Sequence, residues 1–139
     1  MKKVAISSVE LVPLMVDALN KNQAISFKVT GNSMLPFFKH EKTTVKLVRK
    51  SEPYQKGDVV LFKYLKSYRL HRIIKIKGDY ATASGDNLLY KEELKTSEIV
   101  GYVESFETKK VIQSQSVRYR LNYKLWRIVK PIVLRLKRG

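Results

Sequence analysis

The sequence predicts a mainly β protein, with a coiled antiparallel sheet or small barrel, one helix before it and a basic amphipathic helix after it. Three observations predict this fold class. Apolar and polar residues alternate in short segments, as they do in strands. Gly-Asp pairs separate several of these segments, which is typical of turns. Near the end of the chain, the apolar residues change to steps of three and four, the period of a helix.

The first predicted element is a helix over residues 7–20, because Ser7 and Glu10 have capping-box spacing and an apolar stripe follows. After this helix, apolar residues recur at every second position, and this pattern predicts a strand at Ile25–Thr30. Further strands are predicted at Thr44–Val48, Val59–Tyr64, Arg69–Ile76, Tyr80–Ala83 and Ile99–Phe106. Short strands at this spacing favour an antiparallel sheet or barrel.

The last predicted element is a basic amphipathic helix, so the chain divides into a β domain (1–116) and a terminal helix (117–139). Val117–Arg138 contains eight Lys and Arg and no acid. Its apolar stripe comprises Leu121, Leu125, Ile128, Val129, Ile132 and Leu136. Two interpretations remain open. The stripe lies in an anionic membrane surface, with Trp126 among the headgroups, or it packs on the sheet and the charges are solvated.

Composition limits the chemistry available to the chain. Its 139 residues suit one domain, and 28 Lys and Arg against 12 Asp and Glu leave a net charge of +16. Such a surplus favours an anionic partner: nucleic acid, an acidic peptide or an anionic membrane. The absence of cysteine excludes disulfides, thiol nucleophiles and thiolate metal sites, and two histidines are too few for an imidazole-only metal site. We expect neither a cofactor nor a metal.

The sequence shows no secretory signal and no spanning segment. No stretch approaches the roughly 18–20 uncharged residues that a transmembrane helix needs. We therefore expect a cytoplasmic protein that is at most peripherally associated with a membrane.

The segment Thr30–Pro36, directly after a predicted strand, has the features of a nucleophile turn. A reactive hydroxyl needs an exposed, rigid turn with backbone amides nearby and a base within hydrogen-bond reach. Ser33 supplies the hydroxyl, and its own amide is the expected oxyanion donor. Asn32 and Thr30 are further candidate donors, and Met34 is expected to shape the loop and line a substrate groove.

Together with four later segments, Thr30–Pro36 resembles the serine peptidase clan that contains type I signal peptidases and the self-cleaving SOS repressors. The later segments, in the order of that clan, are Lys56–Phe62, Leu70–Ile76, Ser84–Asn87 and Ile99–Val103. The resemblance covers about residues 25–105. It implies peptide-bond hydrolysis, with the substrate bound as an extended strand beside Ile25–Thr30.

The resemblance places His71 at the position of the general base, as in the archaeal, endoplasmic-reticulum and sporulation-type signal peptidases. An imidazole has an ordinary pKa of about 6.5, so it acts as a base near neutrality without large perturbation. Asp86 in the Gly-Asp-Asn turn is the first candidate for the acid that orients His71. The histidine-type relatives carry a second aspartate beyond this turn, where this chain has Glu92 and Glu93. Glu92 is therefore the alternative orienting acid. His40 lies in a charged segment and is expected to be solvated.

These observations predict a small stand-alone serine endopeptidase that cleaves a signal or leader peptide through Ser33, His71 and Asp86. Two alternatives remain. The first is a non-enzymatic basic module that binds nucleic acid or an anionic membrane, of which the nucleic-acid version leaves the ordered Ser, His and Asp segments unexplained. The second is an inactive peptidase-like protein that only holds a peptide.

Overall fold

The structure is a computed structural model that describes residues 12–138. Eight strands form one antiparallel sheet. In the sequence, helix α1 (Val12–Asn20) precedes the strands and helix α2 (Val117–Arg138) follows them. The strands are β1 (Ile25–Lys28), β2 (Thr44–Val48), β3 (Val59–Tyr64), β4 (Ser67–Lys77), β5 (Tyr80–Ser84), β6 (Glu92–Lys95), β7 (Ile99–Glu107) and β8 (Val111–Gln113). A short 3₁₀ helix, Thr96–Glu98, precedes β7.

The predicted fold class is confirmed in its open-sheet form. The strand order is β1-β2-β7-β3-β4-β5-β6, and β8 pairs with β7. Within the described residues, β1 and β6 are the two ends of this order and do not pair with each other, so the sheet is not closed into a barrel. Among residues 12–138 no strand pairs with the outer edge of β1, so a further extended segment could pair there.

The sequence did not predict β6 and β8. In β6, buried Glu92 and Leu94 alternate with exposed Glu93 and Lys95. Because buried Glu92 resembles a polar surface residue in the sequence, it conceals the period-two pattern. In β8 only Ile112 is partly buried, so its three residues carry little apolar signal.

The sheet is buried on both faces, which β3 shows most clearly. Val59 and Leu61 point into a core that includes α1 and α2, while Val60 and Phe62 point into a second core between β3, β4, β5 and β7. Alternate side chains of a strand face opposite sides of a sheet, so one strand contributes to both cores. This two-sided burial fixes the positions of the central strands.

Helix α1 packs on the sheet through Val12, Met15 and Leu19, which are buried at steps of three and four. It contacts β1 and β7. The predicted helix covers residues 7–20, and its proposed capping pair, Ser7 and Glu10, lies outside the described residues.

Helix α2 packs through Tyr119 and Tyr123 on the core that it shares with α1, and Leu134 of the same helix is also buried. The predicted apolar stripe lies on the other side and is exposed, from 44% at Val129 to 75% at Leu136. The interpretation that this stripe packs on the sheet is therefore wrong, because the aromatic side chains of the opposite face make that contact. None of the helices described over residues 12–138 combines the length and the apolar character needed to cross a bilayer.

Candidate active site

A cleft brings Ser33 and His71 to one place. It lies between the segment that follows β1 and the first part of β4. Its walls are formed by Val29, Thr30, Ser33, Met34, Tyr68, Arg69, Leu70, His71 and Tyr90. The hydroxyl and the imidazole are 38 positions apart in the sequence, and the pairing of β4 with the rest of the sheet brings the histidine to the serine turn.

Hydrogen bonds to its backbone groups hold the serine turn in place. Gly31 has a φ of 88°, a conformation that favours glycine, and its N–H donates to His40 Nδ1 at 2.7 Å. His40 is exposed, as expected, and its ring also accepts this hydrogen bond at the start of the turn. Met34 is buried, and the N–H groups of Phe37 and Phe38 both donate to its carbonyl. Ser33 is thus carried on a rigid turn and is itself half-buried.

The segment Ser84–Asn87, between β5 and β6, supports the serine turn from behind. The Asn87 N–H donates to the Ser33 carbonyl at 2.8 Å, and its side-chain amide donates to the Asn32 carbonyl at 3.1 Å. A Cβ at Gly85 would lie 2.6 Å from the Ser33 carbonyl oxygen. Only glycine permits so close an approach of the two backbones.

Glu92 is the carboxylate beside His71. Its two oxygens lie 2.8 and 3.0 Å from His71 Nδ1, and the two residues are 1% and 4% exposed. A carboxylate at Nδ1 favours the tautomer that carries its proton there, which leaves the lone pair of Nε2 toward the cleft. This arrangement is the one that a histidine base requires.

Arg69 completes the surroundings of Glu92. Its Nη1 donates to Glu92 Oε2 at 3.1 Å and to the Tyr90 hydroxyl at 3.3 Å. The guanidinium also stacks on the Tyr64 ring, 5.1 Å from its centroid. Glu92 therefore receives hydrogen bonds from two side chains, which fixes the plane of its carboxylate against His71.

Asp86 does not have the predicted role of orienting His71. Its carboxylate forms a two-point pair with Arg72, with Nε–Oδ1 at 2.9 Å and Nη2–Oδ2 at 2.7 Å. Successive residues of a strand point to opposite faces, so Arg72 points away from the face of His71 and takes Asp86 with it. The prediction is corrected accordingly: Glu92, the alternative that the sequence left open, lies at the histidine.

Arg72 is buried, 1% exposed, and connects the turn to α2. It donates to the Tyr119 hydroxyl at 2.7 Å and to the Gly57 carbonyl at 2.9 Å, and its guanidinium lies 4.3 Å from the centroid of the Tyr123 ring. Burial opposes its charge, but Asp86 and Tyr119 outweigh burial and raise the pKa of Arg72 above its usual value. The guanidinium therefore stays charged inside the domain.

Helix α2 also contacts the supporting turn directly. Trp126 Nε1 donates to the Asp86 carbonyl at 2.6 Å, and Lys130 Nζ donates to the Gly85 carbonyl at 2.8 Å. Burial lowers the pKa of Lys130, which is a sign that its ammonium is partly withdrawn from water. The expected placement of Trp126 among lipid headgroups is not what the structure shows, since its indole faces the domain.

The structure thus places Ser33, His71, Thr30 and Met34 in the cleft and Glu92 behind the histidine. Asn32 is exposed and lies outside the residues that line the cleft. Arg69 and Arg72 were missed. For Arg69 a signal existed, because residues two apart in a strand share a face and Arg69 precedes His71 by two.

A mainly β domain in which a serine turn and a histidine strand line one cleft has the arrangement that serine peptidases use. The family comparison agrees: the Peptidase S24-like family model matches residues 3–103. The chain belongs to this family, and the resemblance noted in its sequence is confirmed. Membership associates it with the serine peptidases and the repressor-type proteins that share their domain. No curated protein matches the chain.

Proposed function

We propose that this chain is a serine endopeptidase that cleaves a signal or leader peptide through an acyl-enzyme. One observation carries the proposal: Ser33 and His71 line one cleft, and the imidazole is held at Nδ1 by buried Glu92. A strand histidine with a surface role would not need a carboxylate that is itself 1% exposed. Family membership supports the reaction class.

In the proposed reaction, Ser33 is the nucleophile and His71 transfers the protons. His71 Nε2 accepts the hydroxyl proton as Ser33 Oγ attacks the scissile carbonyl, and Glu92 stabilises the imidazolium that results. The Ser33 amide and Thr30 are the candidate donors to the oxyanion. His71 then returns the proton to the leaving amine, and the C–N bond breaks to leave a Ser33 ester. Water, deprotonated by His71, hydrolyses the ester and restores the serine.

Two free strand edges favour a substrate in extended conformation. β1 is one end of the sheet. β4 pairs with β3 along residues 67–72, whereas β5 pairs with it only from Arg72 onward, so this edge of residues 67–71 carries no strand within the described chain. Residues 68–71 of β4 line the cleft, and so do Val29 and Thr30, which directly follow β1. A peptide between them would obtain backbone hydrogen bonds beside Ser33.

The test uses a proteome-derived peptide library, because it assumes no cleavage sequence, together with a synthetic signal peptide. We expect the wild-type chain to generate new peptide termini, read by mass spectrometry. Ser33→Ala and His71→Ala should each lower their yield by about 10³-fold or more. Ser51→Ala, an exposed serine away from the cleft, is the matched control and should cleave normally. Equal cleavage by wild type and Ser33→Ala would exclude Ser33 as the nucleophile.

The same experiment tests the alternative that the chain only holds a peptide. In that case the library yields no new termini, while peptides are retained by immobilised wild type and by Ser33→Ala alike. That outcome overturns the enzymatic proposal and keeps the free strand edges as the binding site. A nucleic-acid module predicts neither result, because its contacts to phosphate do not involve the cleft.

A further inference from the structure

We propose that the exposed face of α2 docks on the surface of an anionic lipid bilayer. This inference goes beyond the peptidase proposal and does not depend on it. It concerns a face defined here as the outer stripe, whose members are Leu121, Leu125, Ile128, Val129, Ile132 and Leu136.

The outer stripe is a row of apolar side chains that are exposed to solvent. Leu121, Leu125, Ile128, Ile132 and Leu136 are 56–75% exposed. They follow one another at steps of four and three, so they lie along one side of the helix. A single exposed leucine is ordinary on a protein surface, but an aligned row over four turns marks a contact surface.

The packing of the opposite face keeps the outer stripe exposed. The inward residues Tyr119, Tyr123, Trp126, Lys130 and Leu134 each precede a stripe residue by two positions, which is about 200° around a helix. Tyr119 is bound to Arg72, and Trp126 is bound to the Asp86 carbonyl. The helix cannot rotate to bury its outer stripe without breaking these contacts.

The positive charges beside the outer stripe indicate which kind of partner binds it. Helix α2 carries eight Lys and Arg and no acid. Lys124 and Arg135 are exposed and lie one turn from Ile128 and Ile132, respectively. Their stems can lie along an apolar surface while the charged ends reach an anionic headgroup layer. An apolar row bordered by cations is the combination that an anionic bilayer surface binds.

The two other occupants fit this surface less well. A second copy packed through the same stripe would bring two acid-free helices, each with eight cations, into contact. A nucleic acid would pair with the cations but leave the aliphatic row in water. Of these three occupants, the bilayer accommodates the aliphatic side chains and the charges together.

The test measures partitioning of the full chain onto vesicles by co-sedimentation. Vesicles contain either phosphatidylcholine alone or equal parts of phosphatidylcholine and phosphatidylglycerol. Wild type should bind the anionic vesicles and bind the neutral ones much more weakly. The triple variant Leu125→Gln, Ile128→Gln, Ile132→Gln should bind anionic vesicles about 100-fold more weakly, since three aliphatic side chains no longer leave water.

The matched control is Leu14→Gln, Leu65→Gln, Val111→Gln, which removes three exposed aliphatic side chains (57–79% exposed) outside α2. It should bind like wild type. Equal binding of the α2 variant and wild type would overturn the proposal. So would a wild-type dimer, seen by analytical ultracentrifugation, that the α2 variant abolishes without any vesicle binding. Retention of wild type on duplex DNA but not on anionic vesicles would also overturn it.

Discussion

Two buried carboxylates of similar appearance in the sequence have different surroundings in the structure. Glu92 meets His71 and Arg69, whereas Asp86 meets Arg72. Each pairing predicts a different consequence when the charge is removed. Loss at Glu92 should affect the chemistry, and loss at Asp86 should affect the fold.

Glu92→Gln is expected to lower kcat by about 10³–10⁴-fold with little change in KM, because the amide no longer holds the reactive tautomer of His71. The measurement is steady-state cleavage of a peptide found in the library experiment. Glu93→Gln is the control, since Glu93 is exposed and accepts a hydrogen bond from Thr82 rather than from His71. A Glu92→Gln enzyme as active as the Glu93→Gln enzyme would remove Glu92 from the mechanism.

Asp86→Asn is expected to lower the free energy of unfolding by about 3–5 kcal/mol, because a buried guanidinium loses its carboxylate. Urea unfolding followed by circular dichroism measures the change. Asp79→Asn, an exposed aspartate in another Gly-Asp turn, should leave stability within about 0.5 kcal/mol of wild type. If the Asp86 variant matched the Asp79 variant, the Arg72–Asp86 pair would contribute nothing net.

The sequence could predict that Ser33 and His71 come together, but it could not show whether Asp86 or Glu92 is the acid beside His71. The choice depends on the register of β6 against β5. Glu92 lies opposite Ala83, and Ala83 lies opposite Ile73 on β4, so Glu92 and His71 share one face of the sheet. Because the sequence pattern does not predict β6, it does not predict the register of this strand either. A buried acid has no local signature, since its burial is explained only by partners that are distant in sequence.

Helix α2 illustrates the same limit at the scale of an element. Its period and its boundaries follow from the spacing of apolar residues, and Val117–Arg138 agrees with the predicted helix. The choice of packed face does not follow from spacing, because two stripes at steps of four and three run along this helix. The stripe with Tyr119, Tyr123 and Trp126 packs inward because its polar atoms find partners on Arg72 and Asp86.

Removing the contact between Lys130 and the supporting turn should loosen the serine turn. Lys130→Met loses the hydrogen bond to the Gly85 carbonyl, at a cost of about 1–3 kcal/mol, and should speed amide exchange over residues 31–38. Hydrogen exchange read by mass spectrometry measures the amide exchange rate of this segment. Lys124→Met, an exposed lysine on the same helix, should exchange like wild type over this segment. Unchanged exchange in both variants would show that α2 does not stabilise the turn.

The stability of the whole molecule should depend on alkaline pH through Tyr119. Burial raises the pKa of Tyr119 to about 12, although Arg72 partly opposes this. The unfolded chain releases the phenolic proton near pH 10, whereas the folded chain keeps it. The stability due to this group is therefore present below about pH 10 and is lost as the pH rises toward 12, by about 2–3 kcal/mol.

Urea unfolding at pH 9 and pH 11.5 tests this dependence. Tyr119→Phe should lose less stability between the two pH values than wild type does, because no proton is released at this position in either state. Tyr80→Phe, at an exposed position, should lose as much free energy of unfolding between the two pH values as wild type does. The same loss in all three proteins would mean that Tyr119 does not contribute to alkaline unfolding.

The contact between Gly85 and Ser33 means that reactivity could be silenced without touching any reacting atom. A methyl group added at residue 85 would meet the Ser33 carbonyl at 2.6 Å and Leu88 Cδ1 at 2.8 Å. A shift of the serine turn would relieve the contact with the Ser33 carbonyl, and it would move Ser33 relative to the His71 imidazole. Under the proposed function, a single alanine at this position is expected to abolish cleavage while the folded domain still binds peptide in the cleft.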